Sequence, residues 1–319
     1  MQVARRSLFA SLIPLVVSLT LACGVLTPAS SGGGTAAPAV STTPAPSAFP
    51  RTVADFQGRG VTLARAPERI VSIGPSNTEF LFALGAGDRV VGVDDFSDEP
   101  AQARAKEKVG GVKVSLEKVT ALRPDLVVTT KFTDGTVERL AGIAPAVIVV
   151  DPQGVPDVAR TAVLLGQALG ADGGALAARI DATVAEVRKK TASAPRPRVL
   201  HEVDASDPTR LFTVGPGSFI ADLIDIAGGT NVAANTVSQY PQLSLEEIVR
   251  TDPQVIVLGD SDYGVTPEQV AARPGWSTLS AVRDRKVFPI AGSLVSRPGP
   301  RLGDAAEAYA RLLHPELYR

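Results

Sequence analysis

Two copies of one short pattern constrain this chain more than anything else in it. Ser115-Leu116-Glu117 leads through a short amphipathic stretch to Pro124-Asp125-Leu126-Val127-Val128, and Ser244-Leu245-Glu246 leads at the same spacing to Pro253-Gln254-Val255-Ile256-Val257. A second pair echoes the first. Gly74-Pro75-Ser76-Asn77-Thr78 opens a helical stretch ended by Gly85, and Gly215-Pro216-Gly217-Ser218 opens one ended by Gly228-Gly229. Such duplication predicts two related lobes rather than one irregular domain. Each Ser suits a helix N-cap, and each Glu in the first turn complements the helix dipole. Two copies at matched positions also predict a pair of symmetric acidic knobs. The glycine turns predict free backbone N–H groups at helix starts, facing a shared cleft.

Short β-branched runs at 69–73, 89–93, 126–130 and 146–150 alternate with helical stretches at 78–84 and 116–122. The second half continues with strands near 198–203, 255–258 and 286–289 and helices at 218–227, 244–250 and 301–313. This alternation predicts an α/β fold with a largely parallel sheet. Between the halves, one long helical stretch is expected over 156–192, with Gly166, Gly170 and the Gly173-Gly174 pair as its only kinks. Pro195-Arg196-Pro197 marks its far boundary.

The start of the chain reads as an address and a tether. Arg5 and Arg6 precede an apolar run from Leu8 to Ala22. That run is shorter than the roughly 20 residues a membrane-spanning helix needs, and it fits the core of a secretory signal. Cys23 follows a small residue, as in the lipobox where bacterial lipoproteins are cleaved before a lipid-modified Cys, although Thr20 stands where a Leu is usual. Residues 27–50 are almost entirely Ala, Pro, Ser, Thr and Gly, with too little apolar surface to offset the cost of ordering. The expected organisation is a signal peptide over 1–22, a lipid-anchored tether over 23–52, a first lobe over 53–155 and a second over 193–319.

Composition narrows the function. Lys and Arg number 32 against 33 Asp and Glu, so the chain lacks the cationic excess that phosphate backbones demand. One cysteine and two histidines rule out an internal disulfide and a cysteine zinc cluster, and leave little for a nucleophilic triad or a direct metal site. A hydrolase would have to use His201 or His314, and no Gly-x-Ser-x-Gly elbow surrounds any serine. Gly85-Ala86-Gly87 follows a helix and lacks the third glycine of a dinucleotide fingerprint. No catalytic residue and no cofactor is expected.

The stretch RIVSIGPSNTEFLFALGAGDRVVGVDDFSDEP, together with VGGVKVSLEKVTALRPDLVV, VGPGSFIADLIDIAGGTN and SRPGPRLGDAAEAYARLLHP, closely resembles the Fe³⁺-siderophore/cobalamin family of ABC-transporter substrate-binding proteins. The resemblance runs from Val53 to Arg319. It implies two Rossmann-like α/β lobes joined by a single long helix, and a monomer that captures a metal chelate between the lobes. It further implies delivery of that chelate to an ABC permease dimer with its ATPase. In a cobalamin-binding member, a Glu on each lobe docks to arginine pockets of the permease, and Glu117 and Glu246 match those positions. Ligand-contacting positions of the same member match Phe96, Tyr240 and Arg297. Aromatic faces and a guanidinium suit a flat or bulky chelate. The chain departs from the family pattern at Val112 and Thr130, where aromatics are usual. Lys131, Arg210 and Arg297 instead offer positive charge to an anionic ferric siderophore, so both ligand classes stay open. A chelate-sensing receptor without a transport role is the alternative reading, with an exported hydrolase behind it.

Overall fold

The structure is a computed structural model that describes residues 49–207 and 209–319. The signal segment, Cys23 and nearly all of the tether lie outside the described residues. The first described element is an antiparallel hairpin, β1 (Arg51–Ala54) and β2 (Gly60–Leu63). Arg51 and Thr52 therefore belong to the folded body, not to the tether that was expected to reach residue 52.

The first lobe carries β3 (Ile70–Ile73), α1 (Pro75–Ala83), β4 (Val90–Val93), β5 (Glu107–Lys108), α2 (Leu116–Ala121), β6 (Leu126–Thr129), α3 (Thr136–Ala141) and β7 (Val147–Val149). Its sheet has the order β5-β4-β3-β6-β7, every pairing parallel. The strands are apolar on both faces because both are covered. Leu126, Val128 and Ile148 pack with Phe80 on one side, and Val71, Val127 and Val149 with Val119, Val137 and Leu140 on the other.

Two helices follow, α4 (Val155–Leu169) and α5 (Gly173–Thr191). The single helix expected over 156–192 is thus a pair, and α5 alone makes the connection into the second lobe. Gly170 ends α4 in the left-handed region at φ 72°. The turn folds α5 back onto α4 so closely that a Cβ on Gly173 would lie 2.1 Å from the Ala162 carbonyl oxygen. Of the glycines expected to kink one helix, Gly166 and Gly173 form the contact between two, and Gly170 ends the first.

The second lobe comprises β8 (Arg198–Asp204), β9 (Arg210–Thr213), α6 (Phe219–Ile226), β10 (Thr230–Asn231), β11 (Gln242–Ser244), α7 (Leu245–Thr251), β12 (Val255–Leu258), α8 (Pro267–Ala271), α9 (Ser280–Arg283), β13 (Val287–Pro289), α10 (Gly292–Val295) and α11 (Leu302–Leu313). Its sheet runs β11-β9-β8-β12-β13, with β10 also on β8. Here β8, β12 and β13 are parallel, while β9 is antiparallel to both β8 and β11. One hydrophobic core unites Ile70 and Leu126 of the first sheet with Val199 and Val255 of the second. It does so through Leu165, Ile180 and Tyr309 on α4, α5 and α11, so the joint between the lobes is itself packed core.

Candidate ligand cleft

In open α/β sheets, ligands bind beyond the carboxyl ends of the strands. The loop after β4 is built there on a buried carboxylate. Asp94 accepts hydrogen bonds from the Phe96 N–H (2.8 Å), the Ser97 hydroxyl (2.8 Å) and the Gly74 N–H. Thr78 bonds both Ser97 and Ser72 at 2.8 Å, and Lys108 donates to the Asp94 and Ser97 carbonyls. With its backbone held this way, Phe96 projects outward, 54% exposed, and its ring lies over Gly111. Phe96 is not a core residue.

Arg297 comes from the other lobe and is only 13% exposed. Its guanidinium donates to Asp98 (2.7 Å), to Glu79 (3.4 Å) and to the Phe96 carbonyl (3.3 Å). Burial alone would raise the Asp98 pKa, but the hydrogen bond and charge of Arg297 outweigh it and hold that carboxyl below its ordinary value. Glu79, on α1 and 4% exposed, is gripped in turn by Arg301. The structure brings Phe96 and Arg297 together and adds Glu79, Asp94 and Asp98. None of these three is signalled by spacing in the sequence.

Tyr240 stands elsewhere on the cleft. It lines a cavity of about 360 Å³ with Pro152 and Gln153 from the end of the first lobe, and His201, Ser218, Phe219 and Pro298 from the second. Its loop is tied to the Gly215–Ser218 turn, since Gly215 N–H donates to the Gln239 carbonyl and the Gln239 side-chain amide donates to Gly217. Gly215 is required for that approach, because a Cβ would fall 2.0 Å from the Ser238 oxygen. The two glycine turns are not equivalent. Gly217 and Ser218 line the cavity, whereas the Gly74 N–H is consumed by Asp94. Of the other cationic candidates, Lys131 is half-exposed beside Asp151 (3.7 Å), and Arg210 is exposed on β9.

Glu117 and Glu246 are both exposed in the first turns of α2 and α7. The caps of those helices are made by others. Ser115 accepts from the Lys118 N–H, and Ser244 with Glu247 closes a reciprocal capping box. Neither Glu117 nor Glu246 is spent on its cap.

Two α/β lobes with a cleft at their strand ends, joined through one packed helix, define a substrate-binding protein. The chain belongs to the periplasmic binding protein family, whose sequence profile matches residues 70–293. It is 32% identical over 280 residues to an uncharacterized ABC transporter substrate-binding lipoprotein, YvrC, of Bacillus subtilis, covering 85% of this chain and 88% of that one. A cobalamin-binding protein of Halobacterium salinarum is 32% identical over 290 residues, covering 83% and 74%. The crystal structure of the periplasmic vitamin B12 binding protein BtuF of Vibrio cholerae superposes with a TM-score of 0.66 at 25% identity, over 79% of this chain and 98% of that one. Members of the family are extracytoplasmic substrate-binding proteins that serve transport, not enzymes.

Proposed function

We propose that this protein captures a metal chelate in the cleft between its lobes and hands it to an ABC permease, with cobalamin the first candidate and a ferric siderophore the second. The observation that carries the reading is that each lobe presents one half-exposed aromatic beside its strands, Phe96 after β4 and Tyr240 before β11. Their exposed faces offer apolar contact to a broad, rigid cargo. The cavity beside Tyr240 has room for one edge of a macrocycle or one arm of a siderophore. The relative from Halobacterium, named for cobalamin, favours the first candidate. Arg297 joins the site at the point where the lobes meet, its guanidinium held by Asp98 and Glu79.

In this reading Glu117 and Glu246 dock the loaded protein onto the permease, one per lobe. Cys23 carries the lipid that keeps it at the membrane. The test is a panel of cyanocobalamin, ferric hydroxamate, ferric catecholate and haem, read by thermal shift and by fluorescence of Trp276. A true cargo stabilises the fold by about 2.7 kcal/mol at a hundredfold excess over its dissociation constant. No stabilisation by any of the four would overturn the reading.

A further inference from the structure

One buried imidazole on the cleft wall has its proton position fixed by a single neighbour. His201 lies mid-strand in β8, 1% exposed, and lines the same cavity as Tyr240. Its Nδ1 is 2.8 Å from the hydroxyl of Tyr309, a fully buried residue of α11. Its Nε2 edge faces Gly259, which also borders the cavity, and a Cβ there would sit 2.4 Å from Nε2. The absence of a side chain at Gly259 leaves that edge of the ring beside the cavity.

The hydroxyl and the imidazole share one hydrogen bond, and either could donate it. If Nδ1–H donated, the Tyr309 hydroxyl hydrogen would be left without an acceptor among the described residues, in a fully buried position. A buried donor left unmet carries its full desolvation cost with nothing to offset it. If Tyr309 donates instead, its buried hydrogen is satisfied, and the imidazole proton sits on Nε2, which has no acceptor among the described residues and borders the cavity. Burial also drives the His201 pKa down to about 3, so the ring is neutral at physiological pH.

We infer that His201 contacts the cargo through a neutral Nε2–H that donates to an oxygen on the chelate's edge, such as a carboxamide, hydroxamate or carboxylate oxygen. It does not ligate the metal, because its Nε2 lone pair is already bonded to hydrogen. The assignment rests on the chelate reading above and adds a specificity determinant to it: the buried edge of the cargo must present an acceptor.

The chain's two histidines make the test direct. The protein labelled with [¹⁵N]histidine shows only the imidazoles of His201 and His314, and His201→Gln identifies which is which. The His201 ring is expected to show Nδ1 unprotonated and Nε2 protonated, and its Nε2 signal is expected to move on addition of cyanocobalamin or a ferric trihydroxamate. Calorimetry with the same probes should find binding weakened about tenfold or more in His201→Leu and nearly retained in His201→Gln, which keeps a donor. An Nδ1–H tautomer in the wild-type protein, or full affinity in His201→Leu, would overturn the assignment while leaving the chelate reading intact. Failure of the wild-type protein to bind either probe would overturn the chelate reading and the cargo contact with it.

Discussion

Arg301 closes a two-point ion pair on Glu79, with Nε 2.8 Å from Oε2 and Nη2 2.7 Å from Oε1. The two residues belong to different lobes, and Arg297 approaches the same carboxylate at 3.4 Å. A buried carboxylate is tolerated only when it is paired and hydrogen-bonded, so this contact fastens the lobes at one edge of the cleft.

Removing one partner leaves the other charged and poorly solvated. Arg301→Leu is expected to destabilise the protein by about 3 kcal/mol in urea unfolding. The double variant Glu79→Leu/Arg301→Leu should lose about 2 kcal/mol less than the sum of the two single changes. Simple additivity would show that the pair is not coupled.

Asp260 predicts a pH effect of opposite sign to that of a paired surface carboxylate. Burial first, then the neighbouring Glu202 charge, raises its pKa to about 6, and one of its oxygens has no partner. Glu202 itself is occupied by Arg273 at 2.6 Å through both oxygens. A raised carboxyl pKa means that the folded state holds the proton more tightly than the unfolded chain. Asp260 therefore lowers stability progressively as pH rises from about 4 to about 6, with its full cost present above that window. The stability difference between Asp260→Asn and the wild-type protein should be near zero at pH 4 and favour the variant at pH 7. Parallel unfolding curves with no such divergence would contradict it.

Phe96 and Asp94 should separate binding from stability. Phe96 is half-exposed, so Phe96→Ala should weaken cargo binding by about 1–3 kcal/mol and leave the melting temperature nearly unchanged. Asp94→Ala should lower the melting temperature, because two backbone N–H groups and the Ser97 hydroxyl lose their acceptor. Calorimetry and thermal melts on both variants decide the matter.

Charge reversal at the proposed docking residues tests the hand-over step. Glu117→Arg with Glu246→Arg should abolish cargo uptake by cells while leaving solution affinity unchanged. Both side chains are exposed, and neither closes a helix cap. Lost affinity in solution would mean that these residues serve the cleft instead.

The parallel core of each lobe was legible because its strands are short continuous apolar runs. Residues 255–258 were bounded as observed, and the other core strands fell within a residue at each end. The hairpin of β1 and β2 was not legible, since four-residue alternations beside a Pro- and Ala-rich stretch carry little periodic signal. The antiparallel β9 and β11 likewise fall in a half where every stronger signal was parallel. Gly170 and Gly173 mark the break between α4 and α5, as interruptions should, whereas Gly166 lies inside α4 and forms with Gly173 a helix-to-helix contact that local sequence does not encode. The site divides the same way. Phe96, Tyr240 and Arg297 enter as candidates through family resemblance. The partners that fix Arg297 are invisible locally because Glu79 lies 218 residues away in sequence. His201 stands out in sequence only as a strand residue and as one of two histidines a hydrolase could use, since a buried imidazole and a cavity-lining one look alike in sequence.

The glycine-mediated clasp between α4 and α5 has an evolutionary corollary. With the joint between the lobes filled by core, opening wider would break packed contacts, so under the proposed reading a new cargo is accommodated by changing the segments around Phe96 and Tyr240. On that reading the same rigid frame can serve a different nutrient without any change in α4, α5 or their clasp.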